Sequence, residues 1–226
     1  MSEATRSFRV VECEQGTPEW FAARAGRFTA STAGDMLAKI NTGESAGRRN
    51  LRLKLVLERL TGRTQEGGFK SSAMQDGTDR EADAIAAYEA LTGRLVQRVG
   101  FLAHTDLMAG ASLDGYVGDY ERIASIKCRQ PAAHLDFLRT GTIPADALAQ
   151  IRHELWITGA ACADYFCWSP EFPAALQSRL VTVTREALDI PGYEAAAKAF
   201  LAEVDTELAA LATMADVAGT LERSTL

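Results

Sequence analysis

The chain has 226 residues, 47% of them hydrophobic, and a net charge of −6, which suits one substantial α/β or α+β core and leaves too little length for two full domains. No stretch approaches the roughly 20 apolar residues of a membrane span, and Met1-Ser2-Glu3-Ala4-Thr5-Arg6 is not a charged segment followed by an apolar one. Cys13, Cys128, Cys162 and Cys167 show no C-x-x-C spacing, so the expectation is a soluble, non-secreted protein with reduced thiols.

In chain order, Thr17-Pro18-Glu19 starts a short helix to about Gly26, with a capping hydroxyl, a first-turn proline and an acid at the positive end of the dipole. Ser31 or Thr32 caps the next, which ends near Asn41-Thr42-Gly43. A helix from about Ala46 to Leu60 closes at Gly62, and the segment through it holds Arg48, Arg49, Arg52, Lys54, Arg59 and Arg63 against the single acid Glu58. That basic segment either follows a duplex backbone or is an ordinary solvated face. A third long helix spans about Ser72 to Leu91 and stops at Gly93. The period then changes to two, and Val96 to Ala103, Met108 to Val117 and Arg122 to Cys128 read as strands of a central sheet. Helices are expected from Pro131 to about Arg139 and Asp146 to Thr158, strands from Ala163 to Trp168 and Leu180 to Thr184, and a last helix from Tyr193 to Thr213. The reading is one domain over 1–213, with 214–226 a flexible tail.

The chemistry gathers on one hairpin. With Gly118-Asp119-Tyr120-Glu121 as its loop, Val117 pairs with Arg122, and counting back sets Asp114 opposite Ser125. Ser125 and Lys127 then share a face with Ile123, while Ala124, Ile126 and Cys128 take the other. An acid beside an acid-x-Lys on paired strands is how two-metal nucleases build their centres. Here the first position of the second element is a serine. Glu81 adds a third candidate, because it shares a helix stripe with Ala84, Ile85 and Tyr88 and so points inward; Asp76, Asp79 and Asp83 read as solvated. No nucleophile elbow, phosphate loop, dinucleotide fingerprint or zinc-protease motif occurs. His104, His134 and His153 form no cluster and are assigned to surface or core hydrogen bonding.

Glu81 on a helix, then Leu113-Asp114-Gly115-Tyr116, then Ser125-Ile126-Lys127-Cys128, then Ala149-Gln150-Ile151-Arg152-His153-Glu154-Leu155-Trp156 resembles the lambda exonuclease (YqaJ-type viral recombinase) family of the PD-(D/E)xK nuclease group. Trp20-Phe21-Ala22-Ala23-Arg24-Ala25-Gly26-Arg27-Phe28-Thr29-Ala30-Ser31 is similar to that family's opening element. The resemblance implies a restriction-endonuclease-like α/β fold, with a central mixed sheet flanked by helices. It also implies digestion of linear duplex DNA from 5' ends to leave 3' overhangs for single-strand annealing. It makes Glu81 and Asp114 ligands of two Mg2+ ions, with Mn2+ a substitute and the Ile126 carbonyl a backbone ligand, and Lys127 the group that orients or activates the attacking water. Two such ions stabilise both the attacking and the leaving oxygen, and hard oxygen ligands suit them. Like charge should push the lysine's pKa down.

By the same resemblance Arg24 and Ser31 hold the 5'-phosphate, Trp20 is core or stacks on end bases, Gln150 positions the reacting strand, and Arg152 replaces the family's second glutamine. A homotrimeric ring, an annealing-protein partner, duplex DNA ends as substrate, no membrane, and a bacterial host cytoplasm are implied with it. Ser125 stands where the family carries glutamate, so at least one metal should bind less well and turnover should fall by about 10²- to 10³-fold. The sequence leaves three explanations: an engineered substitution, which the intact remainder of the pattern favours, a natural loss of activity, or a metal site shifted to Asp119 or Glu121. The functional expectation is therefore a Mg2+-dependent 5'-to-3' duplex exonuclease impaired at Ser125. The alternative is a catalytically inactive DNA-end-binding or recombination scaffold, and a site-specific endonuclease of the same core fold stands third.

Overall fold

The computed structural model describes residues 6–65 and 80–224. Two mixed four-stranded sheets lie among helices. The first contains β1 (Phe8–Val11), β2 (Phe28–Thr29), β3 (Phe101–His104) and β4 (Ala109–Ala111), ordered β1-β3-β4-β2. The second is a simple β5-β6-β7-β8 order of Gly115–Val117, Arg122–Lys127, Cys162–Trp168 and Ser178–Thr184. In it β6 and β7 run parallel and the outer pairs antiparallel.

The helices follow their local signals. In α1 (Pro18–Arg24) the Thr17 hydroxyl accepts from the Trp20 N–H, and proline sits in the first turn. A short α2 (Ala33–Leu37) follows a 3-10 turn at Ala30–Thr32, and Thr32 makes no side-chain capping bond. Ser45 caps α3 (Ala46–Thr61), and Gly62 ends it at φ 64°, where a side chain would be strained. α4 (Glu81–Thr92) stops at Gly93; the part of that helix expected before Asp79, with Asp76 and Asp79, lies outside the described residues. α5 (Pro131–Thr140) and α6 (Ala145–Thr158) lie close to their expected bounds. α7 runs from Ile190 to Ser224, beyond the expected end at Thr213, because no proline or glycine pair interrupts the chain there.

The segment Met108 to Val117 is not one strand. β4 pairs with β3 and β2 in one sheet while β5 pairs with β6 in the other, and Ser112-Leu113-Asp114 bridges the two. Side chains satisfy the interrupted backbone: Gln15 Nε2 donates to the Leu113 carbonyl at 3.0 Å, and Asp114 accepts the Ile126 N–H at 2.9 Å. Val96 to Ala103 is likewise shorter than expected, with a single bridge at Gln97 before β3. The sequence pattern foretold neither β1 nor β2.

β6 is buried on both faces. Ile123 joins the main core with Ile151, Leu155 and Phe137, beneath α6. Ala124 and Ile126 pack with Ala84, Tyr88 and Phe166 on the α4 side. Asp164 on β7 is fully buried on that side and fully partnered: Tyr88 Oη donates to it at 2.7 Å, Arg122 at 2.6 Å and Thr182 at 2.6 Å. All three histidines are buried. His153 links the Tyr193 hydroxyl at 2.8 Å to the Gly110 carbonyl at 3.0 Å, and burial pulls its pKa down to about 3.

Candidate active site

The hairpin has the expected register. Gly115 faces Ala124 and Val117 faces Arg122, so Asp114, one residue before β5, stands at the end of the ladder beside Ser125. Its Oδ2 accepts two bonds, from the Ile126 N–H at 2.9 Å and from Lys127 Nζ at 2.9 Å. The turn at the other end carries Gly118 at φ 65° and Tyr120 at φ 60°, with Tyr120 stacked on Tyr116 at 4.0 Å. Asp119 in that turn is paired with Arg6, and Glu121 is exposed. Both acids therefore lie at the opposite end of the hairpin from Asp114, and the shifted site through them is corrected by geometry.

Lys127 is 24% exposed. Burial alone would lower its pKa, but the Asp114 and Glu154 carboxylates and the Asp114 hydrogen bond outweigh it, so the net direction is up. The lowered value expected beside two cations is thus not a property of the protein's own groups. Without a cation, Lys127 is an ammonium clamped on Asp114.

Glu81 begins α4 and is paired with Arg98. Burial raises its pKa first, Arg98 opposes, and the Asp114 carboxylate raises it further. Cys128 Sγ, just past β6, lies 3.8 Å from the Arg80 carbonyl that precedes α4, so Glu81 stands at the Lys127 end of β6, within electrostatic range of Asp114. Asp83, two residues on and so on the opposite side of the helix, is exposed as expected.

A third acid stands here to which the sequence motifs gave no role. Glu154 on α6 is 1% exposed. Its Oε1 accepts from Gln150 Nε2 at 2.7 Å, while its Oε2 is buried with no hydrogen-bond partner. Burial pushes its pKa up to about 8, Asp114 adds to the rise, and Lys127 and Gln150 oppose it. The sequence signal was the i, i+4 spacing of Gln150 and Glu154, which puts both on one helix face. Ser125 is 2% exposed and lies on the β6 face that α6 covers.

Ser112 was missed too. Its hydroxyl accepts from Trp20 Nε1 at 2.9 Å and Arg24 at 3.3 Å. The Arg24 guanidinium is buried, stacks over Trp20 at 4.2 Å and reaches Thr29 Oγ1 at 3.5 Å, which in turn meets Ser31 Oγ at 3.4 Å. Trp20, Arg24 and Ser31 therefore form one polar cluster, and Ser112 ties it through Leu113 to Asp114. Ser31 is exposed on its 3-10 turn, so the cluster opens to solvent there.

The basic segment is offset by acids from elsewhere in the chain. Arg48 pairs with Glu44 and with Glu203 at 2.7 Å, Arg52 with Glu44 and with Glu207 at 2.9 Å, and Arg59 with Asp205 at 2.5 Å. Arg49 points to solvent. Glu58 is a buried clamp that accepts the Gly26 and Gln65 N–H groups at 2.8 and 2.6 Å. Arg152 faces a cavity of about 720 Å³ that Arg48, Lys39 and Tyr193 also line, and its buried Nε has no hydrogen-bond partner.

Among the described residues no group of three His, Cys, Asp or Glu side chains is arranged to hold a metal ion. The donors gathered at the end of β6 are nevertheless hard oxygens, from Glu81, Asp114 and Glu154, and one buried carboxylate oxygen lacks a partner. The donor chemistry is what a hard divalent cation takes, while Asp114 and Glu81 are drawn to Lys127 and Arg98 instead of to a common point. Among the described residues no helix is long and apolar enough to cross a membrane.

Comparison with known proteins agrees with the geometry. Residues 19–161 match the YqaJ-like viral recombinase domain. The structure is similar to the alkaline exonuclease LHK-Exo of Laribacter hongkongensis, at 33% identity and a TM-score of 0.80, covering 88% of this chain and 98% of that one. LHK-Exo in complex with dAMP matches equally well. A phage-related exonuclease of Haemophilus somnus 129PT shares the fold at 14% identity and a TM-score of 0.57, covering 80% of this chain and 96% of that one. No curated protein matches. The family match spans well over half of the chain and contains Glu81, Asp114, Lys127 and Glu154 in order, so the chain belongs to the YqaJ-like viral recombinase family, with the mixed α/β fold of these exonucleases.

Proposed function

We propose that this protein is a metal-dependent exonuclease that digests linear duplex DNA from its 5' ends, leaving 3' single strands for recombination by annealing. One observation carries the reading: Asp114 accepts both the Ile126 N–H and the Lys127 ammonium at the end of a hairpin, within electrostatic range of Glu81. The similarity to alkaline exonucleases supports the nuclease class.

Glu81 and Asp114, with the Ile126 carbonyl, would hold the ions, Mg2+ or Mn2+. When bound, such ions stabilise charge on the attacking and leaving oxygens of a phosphodiester. Lys127, fixed by Asp114, is a donor: it orients a water towards the phosphorus and steadies charge on the phosphate. Arg24 and Ser31 fit a terminal 5'-phosphate, because a guanidinium fork and a hydroxyl both donate to it. Ser112 holds Arg24 and the Trp20 indole in place. Gln150, which donates to Glu154, would position the reacting strand, as the family resemblance implies. Arg49, on the solvent side of α3, is placed for phosphate contact, whereas Arg48 and Arg52 must first leave their acids. A three-subunit ring, an annealing-protein partner and a bacterial cytoplasm belong to the same reading through the family resemblance; mass photometry yielding only monomers with DNA present counts against the ring.

The test is nucleotide release from 5'-phosphorylated linear duplex with Mg2+, using closed circular DNA as a control and a Ser125→Glu version beside the parent. Release from linear DNA alone is the expected result. Ser125 supports a second reading, a DNA-end-binding scaffold without turnover, since a neutral hydroxyl adds no charge where the family has a carboxylate. If neither version releases nucleotides, that reading replaces the first. Release only by Ser125→Glu would show an exonuclease disabled at this position.

A further inference from the structure

A carboxylate buried to 1% exposure with one oxygen unpartnered is uncommon, because such a group loses its hydration without recovering hydrogen bonds. Asp164, equally buried, shows what this protein does with a structural acid: four side chains converge on its two oxygens. Glu154 receives one amide, and its other oxygen is left for something the chain does not supply. Its position narrows the choice. α6 covers the β6 face that carries Ile123, Ser125 and Lys127, and Glu154 lies within electrostatic range of both Asp114 and Lys127.

We propose that Glu154 supplies, from the helix, the carboxylate that is missing at Ser125, and with Asp114 and Glu81 completes the divalent-cation site. This inference rests on the exonuclease reading and deepens it. Ser125 is buried on the strand face that α6 covers, and the carboxylate on that helix restores the negative charge the serine lacks. In the cation's absence the chain's own cations hold two of the acids, Lys127 on Asp114 and Arg98 on Glu81, and the third keeps an unpartnered oxygen. Serine at position 125 and glutamate at position 154 are thus two halves of one arrangement. No engineered substitution or loss of activity is needed to explain the serine.

The experiment is Mn2+ binding to the full chain by electron paramagnetic resonance titration, read without DNA or turnover. It compares the parent with Glu154→Gln, Glu154→Gln/Ser125→Glu and Asp114→Asn, each checked by circular dichroism for folding. The Glu154→Gln change keeps the side chain's size and its contact to Gln150 but not its charge, so the expected result is at least about tenfold weaker Mn2+ binding. The double variant should recover most of that loss by returning a carboxylate to the strand. Parent-like binding by Glu154→Gln, with binding lost in Asp114→Asn, overturns the role of Glu154 and leaves the exonuclease reading intact. Parent-like binding by both single variants, or none by the parent, overturns the whole site. A double variant that binds no better than Glu154→Gln shows that the two positions do not substitute for one another, and also overturns the proposal.

Discussion

Replacing Tyr88 by phenylalanine removes one oxygen from a completely buried site and changes little else. The ring keeps its edge contact with Phe166, 5.6 Å away, but the 2.7 Å bond to Asp164 Oδ2 is lost. Arg122 and Thr182 serve the other oxygen, so Oδ2 is left with Arg94 at 3.5 Å. A hydrogen bond to a charged group contributes about 1.5 to 3 kcal/mol, and removing the donor leaves an under-solvated carboxylate. The expected loss is about 2 kcal/mol, or about 4 to 8 °C in Tm for a domain of this size. pH offers an independent check. Burial, then the Asp164 carboxylate, pushes the Tyr88 hydroxyl up to about 12 from its ordinary 10.0. The unfolded chain therefore ionises first, and the stability held by the neutral hydroxyl, at most about 2.7 kcal/mol, is present below pH 10 and lost towards pH 12. Tyr88→Phe should lack this component of alkaline destabilisation. Urea unfolding of both proteins at neutral pH and near pH 11 measures it. A neutral-pH difference below about 0.5 kcal/mol would mean that the Oδ2 bond is not a net stabiliser and that the account of Asp164 is wrong.

Acid should act through the histidines: burial lowers both His104 and His153, the latter to about 3. The unfolded chain takes their protons first, which favours unfolding below about pH 6.5, but Glu154, protonated up to about 8 in the folded chain, opposes this down to about 4.5, so the decline should be clearest from about pH 4.5 towards 3, which acid titration of the unfolding midpoint at fixed ionic strength measures; a flat profile between 4.5 and 3 would contradict burial of a neutral His153 ring. Ser112→Ala removes the acceptor shared by Trp20 and Arg24 and should cost about 1 kcal/mol. It should also reduce the preference for 5'-phosphorylated over 5'-hydroxyl ends, and an unchanged end preference would detach this cluster from end recognition. Glu203→Gln/Glu207→Gln releases Arg48 and Arg52 from α7. Binding to duplex DNA should then tighten with a steeper salt dependence, measured by fluorescence anisotropy, and an unchanged slope would mean that these arginines never meet phosphate.

Much of the site was legible because its signals are local. Thr17, Ser45, Gly62 and Gly93 punctuate helices through bonds and φ angles set within a few residues, and the two-residue period with the Gly118-Asp119-Tyr120-Glu121 turn determined by itself that Asp114 and Lys127 meet. The missing acid at position 125 was equally plain. What supplies charge in its place was not, because Glu154 reaches β6 only after α6 docks on the sheet, and a helix pattern does not say which sheet face it will cover. The same limit hid the break at Ser112-Leu113-Asp114, where a stretch of strand-like residues passes from one sheet to another and side chains replace ladder partners. It hid the neutralised basic helix as well, since Glu203, Asp205 and Glu207 come from the far end of the chain. Sequence alone determined most of the helices, the β5–β6 hairpin register and the candidate residues Glu81, Asp114 and Lys127. Tertiary packing decided which acids share a site and which arginines are already paired, because those depend on through-space approach and loss of water, neither of which is encoded in neighbouring residues.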